Sequence, residues 1–164
     1  MKATEFVKLA MENGQQYVME LITDMKDAPL TPPTSNGGNH PLWVLGHLIS
    51  GESQLFDVFI CGRENRFPEL TESFGMKSEP VADASEYPSM DELMQKFHTI
   101  RAASIAHLET LSDDDLDAPS HAPAELAGFG TVGLCYAALA LHLMFHGGQV
   151  ADARRAAGRP VLMA

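Results

Sequence analysis

Cysteine is scarce in this sequence. Of 164 residues only Cys61 and Cys135 carry a thiol, and neither lies in a C-x-x-C or another metal-ligand spacing. Two cysteines cannot build the disulfide framework of a small secreted domain and suit a reducing compartment. Positive charge is scarce as well: 11 Lys and Arg stand against 22 Asp and Glu, a formal net charge of −11, with no basic stripe. A surface of that sign repels a phosphate backbone, which excludes nucleic acid as a partner. No apolar leader is expected either, because Lys2, Glu5 and Lys8 interrupt the first residues. A cytoplasmic protein is therefore expected. There is no strand-period alternation, no internal repeat and no low-complexity segment. The H-E-x-x-H, P-loop and G-x-S-x-G motifs are absent, as is the Glu-x-x-His signature of di-iron bundles.

One more absence is local. Between Glu125 and Asp152 no residue carries a formal charge, a run long enough to resemble a membrane-spanning helix. The same run holds His142, His146, Gln149, Thr131 and five glycines. These are costly against lipid but usable inside a helical bundle, so no membrane partner is expected.

What is present reads as helix. A 45% hydrophobic content over 164 residues is enough for a single domain, 1–164, with a real core. Phe6, Ala10, Tyr17, Leu21 and Met25 recur at helical spacing and predict a first helix over Thr4–Lys26. The Pro/Gly-rich stretch Pro29–Gly38 cannot continue it. His40-Pro41 opens a second helix that runs to about Ile60, with Trp43, His47, Ser50, Gly51, Gln54 and Val58 on one face and Glu52 and Phe56 pointing elsewhere. Cys61–Pro88 shows no sustained period and is long enough to cross the length of a bundle. Ser89 and Glu92 form a capping box for a third helix reaching about Leu111, with His107 on its inward row. An acidic turn, Ser112–Asp117, and a Pro/Gly-containing loop follow. Thr131 caps a fourth helix that extends to about Ala157 and closes at Gly158. Cys135, Ala138, His142, His146, Gln149 and Ala153 share one face of it. The expected fold is all-α, a four-helix bundle with a long crossover between helices two and three.

The chemistry centres on histidine. His142 and His146 lie one helical turn apart on the same face, and two imidazoles so placed can converge on one ion. His47, inward on the second helix, completes a three-histidine set, which leaves a coordination position for water or substrate. Imidazole suits Zn, Ni, Cu and Fe alike. A bound ion of this kind eases deprotonation of water or a thiol. Gln149, Gln54 and His107 are candidates for hydrogen-bonding partners around the set. A lone inward His such as His107 is more often a hydrogen-bonded core residue, and His40, His98 and His121 sit at a helix start, a flank and a loop. Cys135, two turns or about 10 Å from His142, is too far to share its ion.

The segment Trp43-Val44-Leu45-Gly46-His47-Leu48 after a proline-started helix, His142-x-x-x-His146-Gly147-Gly148-Gln149, the run Arg154–Pro160 and the acidic turn Leu111–Leu116 together resemble the DinB-like family of metalloenzymes across nearly the whole chain. The resemblance implies an up-down-down-up four-helix bundle with a metal site on His47, His142 and His146. It implies a divalent ion, zinc or nickel first among them, and a homodimer. It also implies an enzyme that transfers a thiol or water to a small electrophilic substrate, with a low-molecular-weight thiol as co-substrate, in S-transfer, hydrolysis or isomerisation. A non-catalytic bundle that binds a metal or small ligand for structure, storage or sensing is the alternative.

Overall fold

The computed structural model describes residues 1–35 and 38–162. The expected loop Pro29–Gly38 therefore lies partly outside the described residues. Among the described residues there are five α-helices: α1 (Ala3–Asp24), α2 (Pro41–Ser53), the single-turn α3 (Thr71–Phe74), α4 (Met90–Leu108) and α5 (Val132–Ala156). Among the described residues there is no strand, only an isolated bridge between Pro119 and Thr131. The protein is all-helical, as the periodicity predicts.

Local chemistry sets the helix starts. Ser89 Oγ accepts from the Glu92 N–H at 3.3 Å and the Glu92 carboxylate accepts from the Ser89 N–H at 2.9 Å, so the capping box forms. Thr131 Oγ1 accepts from the Leu134 N–H at 3.2 Å and starts α5. At α2, Pro41 takes the first position and His40 is the cap: its Nδ1 accepts from the Trp43 N–H at 3.1 Å. That leaves Nε2 to donate, and it does so to the Val81 carbonyl at 3.0 Å, tying the crossover to the start of α2.

Beyond Ser53 the second helix widens into π-helical turns over Gln54–Ile60. A count at 100° per residue fails there. Gln54 and Val58, expected on the inward face, are only half-buried, whereas Leu55, Phe56, Asp57, Phe59 and Ile60 are buried. Asp57 is held by Ser53 Oγ at 3.0 Å, Arg63 at 3.1 Å and Arg66 at 3.2 Å, which anchors the start of the crossover.

The core joins α1 to α5 and α2 to α4. Met11, Ile22, Leu45, Ile49, Leu93, Phe97, Leu139 and Leu143 are all buried in it. Along the first contact Gly14 faces Ala140 and Leu143, Gly147 faces Tyr17 and Val18, and Arg154 Nε donates to Asp24 at 2.9 Å. Along the second, Glu52 meets Arg101 and Ser104, and Phe56 meets His107. Phe74 of α3 is fully buried and stacks on Tyr87, so the crossover is packed onto the bundle. By length and composition α5 is the one helix among the described residues that could cross a membrane, with mean hydropathy 1.2 in its best window. It nevertheless contributes Cys135, Tyr136, Leu139, Leu143 and Val150 to the core.

The pair Gly147-Gly148 divides between packing and solvent. A β-carbon at 147 would come within 2.9 Å of Val18 Cγ2, on a fully buried, stiff β-branched side chain, whereas nothing lies within 4 Å of one at 148. Gly148→Ala is expected to raise stability by about 0.5–1 kcal/mol through helix propensity. Gly147→Ala is expected to lower it by about 1–2 kcal/mol through overpacking against α1. Urea denaturation of the two variants measures both signs, and equal effects would contradict this packing.

Candidate metal centre

The structure brings His47, His142 and His146 together. One ligand-capable atom from each lies within 4.8 Å of the other two, and no carboxylate or thiol joins the group among the described residues. The ring centroids are 5.0 Å apart for His47 and His142, 4.7 Å for His47 and His146, and 4.6 Å for His142 and His146. Two of the rings come from one turn of α5, and the third crosses from α2. Gly51 leaves room for their approach: a β-carbon there would lie 3.0 Å from His142 Cε1 and press on that ring.

Hydrogen bonds at the far side of two rings decide where their lone pairs point. His47 Nδ1 lies 2.7 Å from the Phe74 carbonyl, which can only accept, so Nδ1 carries the proton and Nε2 is bare. His146 Nδ1 lies 2.9 Å from Gln149 Oε1, with the same consequence. His142 Nε2 lies 3.2 Å from His47 Nε2. Two ring nitrogens at that distance need a proton or a cation between them. The third bare nitrogen, from His146, favours the cation. At a metal–nitrogen distance of about 2.0–2.1 Å, two ligands at a tetrahedral angle stand about 3.4 Å apart, close to the 3.2 Å between the His47 and His142 nitrogens, and all three ligand atoms lie within 4.8 Å of one another. The donor set therefore fits a divalent ion. Trp43 stacks on His47 with centroids 4.7 Å apart and planes 11° off parallel, and its Nε1–H donates to Ser73 O at 3.0 Å. Both carbonyls, of Ser73 and Phe74, come from α3 in the crossover.

The surroundings keep the three rings neutral, the form that binds metal. Burial pushes His142 down to about 3, helped by the neighbouring His146 and His47 and by the Arg101 guanidinium. Burial likewise takes His146 down to about 4, opposed by its bond to Gln149. His47 is lowered by burial, against the pull of the Phe74 carbonyl.

Glu52 and Arg101, next to this group, were not singled out by sequence reasoning. Each is 1% exposed, with Arg101 Nη2 2.8 Å from Glu52 Oε2, and Ser104 Oγ donates to Glu52 Oε1 at 2.5 Å. Glu52 does point away from the His47 face, but toward α4 and not toward solvent. A Glu and an Arg on separate helices give no spacing signal, so only burial shows them as a pair. Desolvation raises the Glu52 carboxyl and lowers the Arg101 guanidinium.

Of the other candidates, Gln149 bonds a ring of the group, and Gln54 makes no such bond among the described residues. His107 lies elsewhere: its Nδ1 donates to Tyr136 Oη at 2.8 Å, and that hydroxyl donates to Ser104 O at 3.1 Å, a hydrogen-bonded core arrangement. Cys135 donates its thiol to the Phe129 carbonyl at 3.3 Å. His98 lines a hollow of about 540 Å³ between α1 and α4, with Glu12, Gln16 and Glu109, away from the three histidines.

Comparison with known families matches the chain over residues 10–150 to the model described as the DinB superfamily. No curated protein matches the chain.

The neutral histidines carry a pH signature. An unfolded chain protonates them near the ordinary value of about 6.5, whereas the folded protein resists until about pH 4 or below. The unfolded state then binds more protons, so metal-free protein loses stability as pH falls through that window, by up to about 1.4 kcal/mol per pH unit for each such histidine. His142→Gln should flatten this slope in urea midpoints taken from about pH 7 to about pH 5. An unchanged slope would mean that His142 is ordinarily solvated.

Proposed function

The chain belongs to the DinB superfamily, and we propose that it is a metal-dependent enzyme in which His47, His142 and His146 hold one divalent ion, zinc or nickel. The observation that carries this reading is the convergence of three neutral imidazoles from two helices, two of them with the proton fixed on the outer nitrogen, and with no fourth side-chain ligand among the described residues. Such a set leaves a position open for a small molecule, as catalytic sites do and closed structural sites do not. An ion bound there supplies Lewis acidity, which eases deprotonation of a thiol or water for transfer to a small electrophilic substrate. A low-molecular-weight thiol is the proposed co-substrate, in S-transfer, hydrolysis or isomerisation. The protein's own part is to hold the rings, exclude bulk water with Trp43 and α3, and keep positive charge off the imidazoles.

An up-down-down-up bundle is the arrangement we assign to the four long helices. The pairs Gly14 with Leu143, Val18 with Gly147 and Asp24 with Arg154 advance together along α1 and α5. Glu52 with Arg101 and Phe56 with His107 do so along α2 and α4. His47 with His146 and Gly51 with His142 run oppositely along α2 and α5. A cytoplasmic place and a homodimer belong to the same reading. Leu134, Leu141 and Phe145 are 45%, 70% and 70% exposed on the uncharged face of α5. Two copies that each carry −11 can meet there without opposing charges.

The second reading is a non-catalytic metal- or ligand-binding bundle with a structural, storage or sensing role. It is favoured by the lack of any carboxylate hydrogen-bonded to the three rings among the described residues.

Purified protein should carry about one divalent ion per chain, and His142→Ala should lose it by elemental analysis. Trp43, the single tryptophan, should report loading by quenching when nickel is titrated in, because it stacks on His47. Cobalt-substituted protein should gain a sulfur charge-transfer band when a small thiol is added. Unchanged metal content in His142→Ala sinks the ligand assignment. A large fall in melting temperature on chelation, with no thiol response, supports the second reading. Phe145→Glu should convert a dimer to a monomer in light scattering; a wild-type monomer would remove the dimer from the proposal.

A further inference from the structure

One oxygen, Gln149 Oε1, touches two groups: His146 Nδ1 at 2.9 Å and, across from it, Asn39 Nδ2 at 3.3 Å. Asn39 lies on the segment before α2, outside every motif that the sequence suggests, and it immediately precedes His40, the cap of the helix that carries His47. The same segment is clipped to α5 a second time, where Thr34 Oγ1 donates to Asp152 at 2.8 Å and the Thr34 N–H donates to it at 2.9 Å.

We propose that Asn39 is a positioning residue for His146: by donating to Gln149 Oε1 it holds the Gln149 amide with its oxygen toward the imidazole, and so keeps the His146 proton on Nδ1 and the lone pair on Nε2. An amide side chain has two orientations of nearly equal shape but opposite hydrogen-bonding sense. With the oxygen toward His146, the ring must donate from Nδ1, and its Nε2 is bare toward His47 and His142. With the nitrogen toward His146, the ring must accept at Nδ1, the proton moves to Nε2, and the lone pair leaves the three-histidine group. With its Nδ2 toward Gln149, as here, Asn39 favours the first orientation, because that N–H needs an acceptor. The change of tautomer breaks the Nδ1–H bond and forms an Nε2–H bond by proton exchange with solvent, and the total number of protons is unchanged. Its consequence for ion binding rests on the metal reading above; the tautomer itself does not.

Asn39→Asp separates this role from simple electrostatics. A carboxylate can only accept, so it draws the Gln149 NH₂ toward itself, turns the amide and inverts the His146 tautomer. Charge alone acts in the opposite sense, since an added anion near a cation site tightens binding. The relay therefore predicts about tenfold weaker zinc binding in Asn39→Asp, within the range for partners that orient metal-binding histidines. Chelator competition reads that affinity. In metal-free protein, nitrogen-15 shifts of His146 should show a protonated Nδ1 in wild type and a protonated Nε2 in Asn39→Asp. Asn39→Ala, which removes the donor without adding an acceptor, should give a mixture of the two tautomers and an intermediate affinity, and it serves if the Asp variant folds poorly. An unchanged His146 tautomer in both variants overturns the proposal, as does zinc binding that stays equal or tightens in Asn39→Asp. Wild-type protein that takes up no zinc but shows the tautomer exchange would overturn the metal reading and leave this role of Asn39 standing.

Discussion

Three imidazoles placed in the interior of a helical bundle are the constraint on which the rest of this structure depends. A neutral imidazole carries one N–H and one lone pair, and both are costly to bury without partners. The fold meets part of that cost with an acceptor from a distant segment, the Phe74 carbonyl for His47, and one from the same helix, the Gln149 side chain for His146. The remaining valences face inward, toward one another. An arrangement that satisfies the outer nitrogens of His47 and His146 and turns their bare nitrogens toward His142 suits a cation, and that is the physical content of the metal reading.

The crossover between α2 and α4 takes its role from the same constraint. A chain that only had to span the bundle would need no particular contact with α2. Here α3 is seated through fully buried Phe74, and the two adjacent carbonyls, of Ser73 and Phe74, receive Trp43 Nε1–H and His47 Nδ1–H. His40 fastens the other half of the crossover through Val81 while capping α2. Backbone carbonyls that a loop would otherwise offer to water are used to orient one helix and one ligand ring.

Electrostatics around the site is nearly balanced within a strongly acidic protein. The buried Glu52–Arg101 pair adds no net charge to the interior, and its value to stability is limited by the desolvation of both partners. Removing one partner would leave the other charge unpaired beside the histidines. The Arg101 guanidinium also opposes protonation of His142, in the same direction as burial and the neighbouring rings. The acidic excess stays on exposed positions such as Asp113, Asp114, Asp115 and Glu109, away from the uncharged face of α5.

The helices were legible in the residues because period, caps and breakers act over a few positions: the Ser89–Glu92 box, Pro41 at the start of α2 and Thr131 before α5 each state their role locally. His142 and His146 were legible for the same reason, since a four-residue spacing places both on one face whatever the fold. The inward turn of His47 could be read from its helix as far as Ser53, after which the π-helical turns make a count at 100° per residue inapplicable. His107 was placed on the inward row correctly, yet its partner is Tyr136, which no pattern along α4 could indicate. What sequence alone determined is therefore the helical content, the pair of histidines on α5 and the candidate third on α2. Only tertiary structure decided that the three rings meet, that Glu52 pairs with Arg101, that α3 reaches the outer nitrogen of His47, and that Asn39 bonds the Gln149 amide. Those contacts join residues dozens of positions apart, and their geometry depends on how closely helices pack at Gly51 and Gly147, a property of two surfaces together that neither stretch of sequence carries by itself.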